Sequence, residues 1–295
     1  MRKALKWIGI VLGGLIGLLA VAAVVLSIIG AARMSKTHDI QAETIAIPND
    51  EAALARGKHL MEVALCTECH GQDLGGDILI EDPSIGTVYA TNITGLGATH
   101  SDADLVRAIR HGVDTDGRQL VIMPADIYTS LSAEDLGAAI AYLKKVPPAA
   151  SELPEPELNF TGRILLAAGM FGDVFPAEYI DHNQPFPTMP EIGVNVEYGV
   201  YLAGATGCIS CHGTNLAGDV FDPEAPPAPN LTRGGHLGDW SEADFIQTMG
   251  TGISPHGGTL DPEFMPWKAY ASFGDDELKA LWIFLQTLPP NESGN

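Results

Sequence analysis

The sequence is poor in basic charge: 16 Lys and Arg stand against 37 Asp and Glu in 295 residues, a formal net charge of −21. A surface this acidic is repelled by a phosphate backbone, which excludes nucleic acid as a partner. The excess fits docking partners with basic patches, and equally a plain solvated surface. It is uneven: residues 191–295 hold 3 basic and 14 acidic residues, against 7 and 14 in residues 51–150. The second half is therefore the stronger candidate for a docking face. Cysteine is scarce as well, four in all, and none lies outside one kind of motif. Strand-like alternation is sparse. Disorder is excluded by a 46% hydrophobic content, and the length suits two ordinary domains.

One lack is local. From Trp7 to Ala32 (WIGIVLGGLIGLLAVAAVVLSIIGAA) there is no charged side chain. A helix rising ~1.5 Å per residue crosses a hydrocarbon core of about 30 Å with roughly 20 such residues. Arg2, Lys3 and Lys6 precede the run, which leaves the N-terminus in the cytoplasm and everything after residue 36 outside it. The competing reading is a cleaved signal peptide ending near Gly30-Ala31-Ala32. Against it stands the length of the run, beyond the roughly 7–15 residues of a signal core.

The rest is a duplication. Gly57 matches Gly199, Cys66 matches Cys208, Cys69-His70 matches Cys211-His212, and Met123-Pro124 matches Met265-Pro266, all at an offset of 142. Tyr128 and Tyr270, Leu136 and Leu278, and Pro147 and Pro289 keep the same offset. A repeat this long marks two copies of a domain, since solenoid units run to about 20–50 residues. Seven segments result: an N-terminus (1–6), an anchor (7–32), a tether (33–50), a first domain (51–150), a linker (151–190), a second domain (191–290) and a tail (291–295). The proline-spaced SELPEPEL (151–158) favours an extended connection, and ILLAAGMFGDVF (164–175) reads as a short buried or interface helix. Ser101 with Asp104, Ser132 with Asp135, and Ser241 with Asp244 are helix-start signals. Apolar positions such as Leu136, Ile140, Leu143 and Leu278, Leu281, Leu285 then recur at helical spacing.

All four cysteines fall in Cys-x-x-Cys-His: Cys66-Thr67-Glu68-Cys69-His70 and Cys208-Ile209-Ser210-Cys211-His212. Two thiols on one helical turn can each form a thioether with a haem vinyl group, and the next residue then points its imidazole at the iron. A redox dithiol would not need the histidine. With 9 His in the chain, its recurrence after both pairs has a chance of roughly one in a thousand. Structural zinc would want the two pairs some 15–20 residues apart. Disulfides fit an extracytoplasmic setting but leave the histidines unexplained.

A sixth iron ligand is expected from Met123 and Met265, each 57 residues after the first cysteine of its motif and each followed by proline. Competitors are His111, His100, His236 and His256, with Met249 a minor one; His59 sits too close to the first motif. A thioether opposite an imidazole raises the haem potential and fills the coordination sphere, which suits a carrier better than an enzyme. Arg107, Arg110 and Trp267 are candidates for the haem propionates. Tyr128 and Tyr270 are candidates for the crevice wall.

Here the sequence resembles a known family. ARGKHLMEVALCTECHG (55–71), TVYATNIT (87–94), LVRAIRHGVDTDGR (105–118) and MPADIYTSLSAEDLGAAIAYLKKVP (123–147) look like a class I cytochrome c domain. So do YGVYLAGATGCISCHG (198–213), PNLT (229–232) and MPWKAYASFGDDELKALWIFLQTLP (265–289). The whole is similar to the cytochromes that serve membrane-bound periplasmic dehydrogenases. The resemblance implies an all-α fold of two tandem cytochrome c domains; the two motifs give two covalently bound haem c, where the dehydrogenase subunits usually carry three, and the apolar run adds a single N-terminal transmembrane helix, an anchoring that differs from theirs. Together these make a single-pass protein of the cytoplasmic membrane whose haem domains face the periplasm. Such a protein passes electrons from a dehydrogenase or quinol-oxidising complex to an oxidase or soluble cytochrome, free or as a subunit of a larger complex. A dihaem peroxidase is the alternative.

Overall fold

The computed structural model describes residues 2–151, 153–218 and 226–291. Helix α1 (Arg2–Met34) leads into a first half made of α2 (Glu51–Val63), α3 (Cys66–His70), β1 (Asp77–Asp82), β2 (Gly86–Ala90), α4 (Leu96–Thr99), α5 (Asp102–His111), α6 (Ala125–Tyr128) and α7 (Ala133–Leu143). β3 (Glu157–Leu158) and α8 (Phe160–Ala167) follow. The second half repeats the helical series as α9 (Val196–Ala205), α10 (Cys208–His212), α11 (Glu242–Thr251), α12 (Trp267–Tyr270) and α13 (Asp275–Thr287). Residues 292–295 of the expected tail lie outside the described residues.

The fold is largely helical but departs from the all-α expectation. β1, β2 and β3 form an antiparallel sheet in that order, with Gly86 and Thr87 paired to Leu158 and Glu157. Its strands escape pattern reading because β1 (DILIED) runs three apolar residues together and leaves Ile78 and Ile80 exposed. β2 shows a covered face through Val88 and Ala90, and β3 covers Leu158.

α1 is apolar and long enough to cross a membrane, and its side chains are exposed along most of its length. Near its end Gly30 touches α8 so closely that an added Cβ would come within 2.0 Å of the Arg163 carbonyl oxygen. Below this crossing a small core of Val88, Leu158, Leu166 and Phe175 joins α8 to the sheet. Residues after α1 run along the first half: the His38 N–H donates to the Gly117 carbonyl at 2.7 Å, and Ala46 passes close over Gly137.

In each half the first and last helices cross in backbone contact. A Cβ on Gly57 would lie 2.0 Å from the Ala138 oxygen, and one on Gly199 2.2 Å from the Ala280 oxygen. The repeated glycines are thus steric requirements of the α2–α7 and α9–α13 crossings. Gly199→Ala forces these helices apart, and we expect it to cost about 1–3 kcal/mol, read from the urea midpoint of the holoprotein.

One buried core runs through both halves, including Leu60, Leu136 and Ile140 on one side and Tyr198, Leu202 and Leu278 on the other. The seam is also polar. Arg56 donates two hydrogen bonds to Asp135, at 2.8 and 2.9 Å, and one to Glu277 at 2.9 Å. His59 meets Glu277 at 2.7 Å, while the Tyr201 hydroxyl donates to Asp135 at 2.8 Å. Asp135 and Glu277 stand at equivalent repeat positions, as do His59 and Tyr201. Each half therefore offers a buried carboxylate that a side chain of the other half reaches.

Candidate functional site

Both Cys-x-x-Cys-His motifs fold as a single helical turn, and both are entered through a left-handed residue, Leu65 (φ 64°) or Gly207 (φ 81°). Left-handed backbone costs a leucine roughly 1–2 kcal/mol, so the strain at Leu65 sits where the turn must be aimed. Two tyrosines hold these entries. The Tyr128 hydroxyl donates to the Ala64 carbonyl at 2.9 Å, and the Tyr270 hydroxyl to the Thr206 carbonyl at 2.7 Å.

His70 Nδ1 lies 2.7 Å from the Thr91 carbonyl oxygen, and His212 Nδ1 lies 2.8 Å from that of Pro229. A carbonyl only accepts, so Nδ1 carries the proton and Nε2 keeps its lone pair for a metal. Burial lowers the pKa of both histidines, against the carbonyl contact that raises it, which favours the neutral, ligating imidazole. Burial also pushes the Cys66 thiol up to about 11 and raises the pKa of Cys69, Cys208 and Cys211. Such thiols are poor nucleophiles, unlike those of a redox dithiol. Among the described residues no group of three His, Cys, Asp or Glu side chains is arranged to hold a bare metal ion.

In the first half a cavity of about 650 Å³ brings Cys66, Cys69 and His70 together with Met123, between walls that include Leu60 and Tyr128. An apolar chamber with two thiols, an imidazole and a thioether fits a haem in size and donor chemistry. In the second half Met265 and Pro266 lead into α12 as Met123 and Pro124 lead into α6, and Met265 and Cys208 both pack, half-buried, against the main core.

The competing histidines divide. Both ring nitrogens of His111 are engaged, by His182 at 3.1 Å and Glu43 at 2.9 Å, whereas His100 lies on the cavity wall. Arg110 is buried under the Phe186 ring, bonded to the carbonyls of Thr129 and Gln184, and Arg107 is held by Asp104 and the Asp114 carbonyl. Neither lines the cavity; its arginines are Arg118 and Arg163, which the repeat did not reveal because Leu260 stands at the position equivalent to Arg118. Trp267 donates its indole N–H to the Leu260 carbonyl and packs against Gly252.

Residues 196–289 match the family described as cytochrome c, and residues 52–143 match cytochrome C oxidase, cbb3-type, subunit III. The chain therefore carries a cytochrome c domain in each half. It is a dihaem cytochrome c, with two covalently bound haem c groups. It is 28% identical over 277 residues to the fructose dehydrogenase cytochrome subunit of Gluconobacter japonicus, covering 82% of this chain and 54% of that protein. It is 29% identical over 279 residues to the gluconate 2-dehydrogenase cytochrome c subunit of Pantoea cypripedii, covering 81% of this chain and 60% of that protein. The chain thus spans little more than half the length of either relative.

Proposed function

We propose that this chain is a membrane-anchored electron carrier with tandem haem domains on the periplasmic side. In this reading it accepts electrons from a dehydrogenase or quinol-oxidising complex and delivers them to a downstream cytochrome or oxidase. The observation that carries the reading is the pairing of His70 and Met123 in one cavity, repeated in sequence by His212 and Met265. Cys66 and Cys69 would hold the first haem and Cys208 and Cys211 the second, with His70 and Met123 binding one iron and His212 and Met265 the other. Arg118 and Arg163 supply positive charge toward the propionates of the first haem.

Bound haem supplies reversible one-electron chemistry at iron. The chain's own residues would supply both ligands to each iron, line the site with apolar walls, and fix the imidazole orientation through the Thr91 and Pro229 carbonyls. With those ligands in place no position at iron would remain for a substrate, which favours a carrier over an enzyme. The names of the fructose and gluconate dehydrogenase relatives favour a dehydrogenase as donor. α1, with Arg2, Lys3 and Lys6 on its cytoplasmic side, confines the carrier to the membrane surface and raises its effective concentration near partners.

The test is purification of the full chain in mild detergent with identification of co-eluting proteins, followed by peroxide and donor assays. We expect a co-eluting dehydrogenase that reduces both haems, and peroxide reduction no faster than that of a six-coordinate carrier. Rapid peroxide turnover by the unmodified protein would instead establish the peroxidase reading.

A further inference from the structure

The segment between β3 and the second half forms a loop with both ends at the foot of α1 and an apolar tip between them. It begins at Asn159, whose side chain caps α8 by accepting from the Gly162 N–H at 3.0 Å. α8 then meets α1 where Arg163 lies against Gly30. Ser27 is buried on α1 one turn before this crossing, and Ala23 and Leu26 are half-buried. α8 is the element packed there, so after Arg163 the chain descends along α1 towards its N-terminus. By Ala167 it has dropped about 6 Å, at ~1.5 Å per residue.

The chain then turns through Gly169 and Gly172, both left-handed, with nothing within 4 Å of the space a side chain would take at either. It climbs back to Val174, whose carbonyl accepts from the Ile122 N–H at 2.8 Å, and to Phe175, buried beneath the Arg33 guanidinium at 5.2 Å. Glu178 closes the return by pairing with Arg33 at 2.7 Å and Lys36 at 3.1 Å.

Nine residues between Arg163 and Asp173 (ILLAAGMFG, 164–172) carry no charge. Met170 at the tip is 69% exposed, so this uncharged run presents its end outward beside α1. The positions of α1 that this segment covers belong to the uncharged span, several residues inside Arg33. A bilayer that surrounds α1 at Ala23 also surrounds whatever is packed against Ala23. Backbone groups there need partners, and the helix and its closing turn supply several: the Gly169 N–H donates to the Leu166 carbonyl, the Met170 N–H to that of Leu165 and the Gly172 N–H to that of Gly169.

We propose that residues 164–172 dip into the outer leaflet beside α1, as a second membrane attachment whose partner is the lipid acyl region. The inference rests on α1 spanning the membrane. Arg163 and Asp173 mark the polar boundary, and the buried contacts at Gly30, Phe175 and Glu178 fix the first haem domain at a set height and tilt above the bilayer.

The test uses the full holoprotein in plain phospholipid vesicles, its native cysteines occupied by haem, with one added thiol: Met170→Cys, Asp275→Cys on the exposed second half, or Val11→Cys in mid-span. A bulky, membrane-impermeant maleimide then reports access to water. We expect Met170→Cys to react at least tenfold more slowly than Asp275→Cys, with Val11→Cys protected, at every protein-to-lipid ratio. If Met170→Cys reacts as fast as Asp275→Cys while Val11→Cys stays protected, the dipping loop is refuted and the anchor stands. If Val11→Cys also reacts, the anchor reading falls and the inference falls with it. Protection of Met170→Cys that disappears on dilution in lipid identifies a second copy of the chain as the cover, and overturns the lipid assignment.

Discussion

Met123→His lowers the midpoint potential of one haem by on the order of 0.1 V and leaves the other in place, within the roughly 0.8 V that axial ligands span. Met265→His does the same to the other haem. The sign follows from the ligand: a thioether favours the reduced iron relative to a second imidazole. The selectivity follows from placement, since Met123 shares its cavity with His70 and Met265 leads into the equivalent helix of the second half. A spectroelectrochemical titration reads both, as two reduction steps of which one moves per variant. The companion Met123→Ala opens a position, and the reduced protein then binds carbon monoxide where the parent does not. If neither potential moves, another side chain holds the iron, and His100 on the cavity wall is the first to examine.

The second large effect is expected at the seam between the halves. Arg56→Leu removes the guanidinium that binds Asp135 and Glu277, whose side chains are 4% and 11% exposed. Stranding two buried carboxylates costs about 3–5 kcal/mol, whereas replacing all three groups by apolar residues of similar volume is close to neutral. Urea unfolding of the two variants separates the cost of a broken pair from the worth of an intact one. Acid adds a signature. Burial raises the pKa of Glu277, but the His59 hydrogen bond, the Gly274 N–H and the charges of His59 and Arg56 override it and bring the group down to about 2. A carboxyl depressed below its ordinary 4.5 stabilises the fold fully above that pH, and the contribution is lost as pH falls from 4.5 to about 2. Removing His59, the largest of these lowering contacts, flattens stability against pH across that window more than Arg56→Leu does, because the Arg56 charge is the smallest of them.

The two haem motifs, and the pairs Gly57 with Gly199 and Met123 with Met265, were legible as repeats because each recurs at one offset; that the glycines sit at helix crossings was not, since only the packed helices show it. The helix starts were legible for local reasons. Ser101 with Asp104 and Ser241 with Asp244 form complete capping boxes. Ser132 caps its helix too, but its partner Asp135 turns away to Arg56 and Tyr201, a demand set by the other half of the chain. Arg110 was misplaced by the same kind of non-local choice, drawn from the cavity to Glu43, Phe186 and two carbonyls. α8 begins at Phe160, four residues before the apolar run that signals it, because Asn159 supplies the cap. The sheet was illegible because its strands are short and β1 leaves its isoleucines in the open.

The duplicated seam is unequal in its basic side chains. Where the first half places Arg56, the second places Tyr198, whose hydroxyl donates to Glu277 at 3.1 Å. The basic side chains of this seam, Arg56 and His59, thus both come from the first half, so two centres with the same ligands would stand in different local fields. Two equal stations would pass an electron back and forth without preference; two unequal ones give its passage a downhill direction.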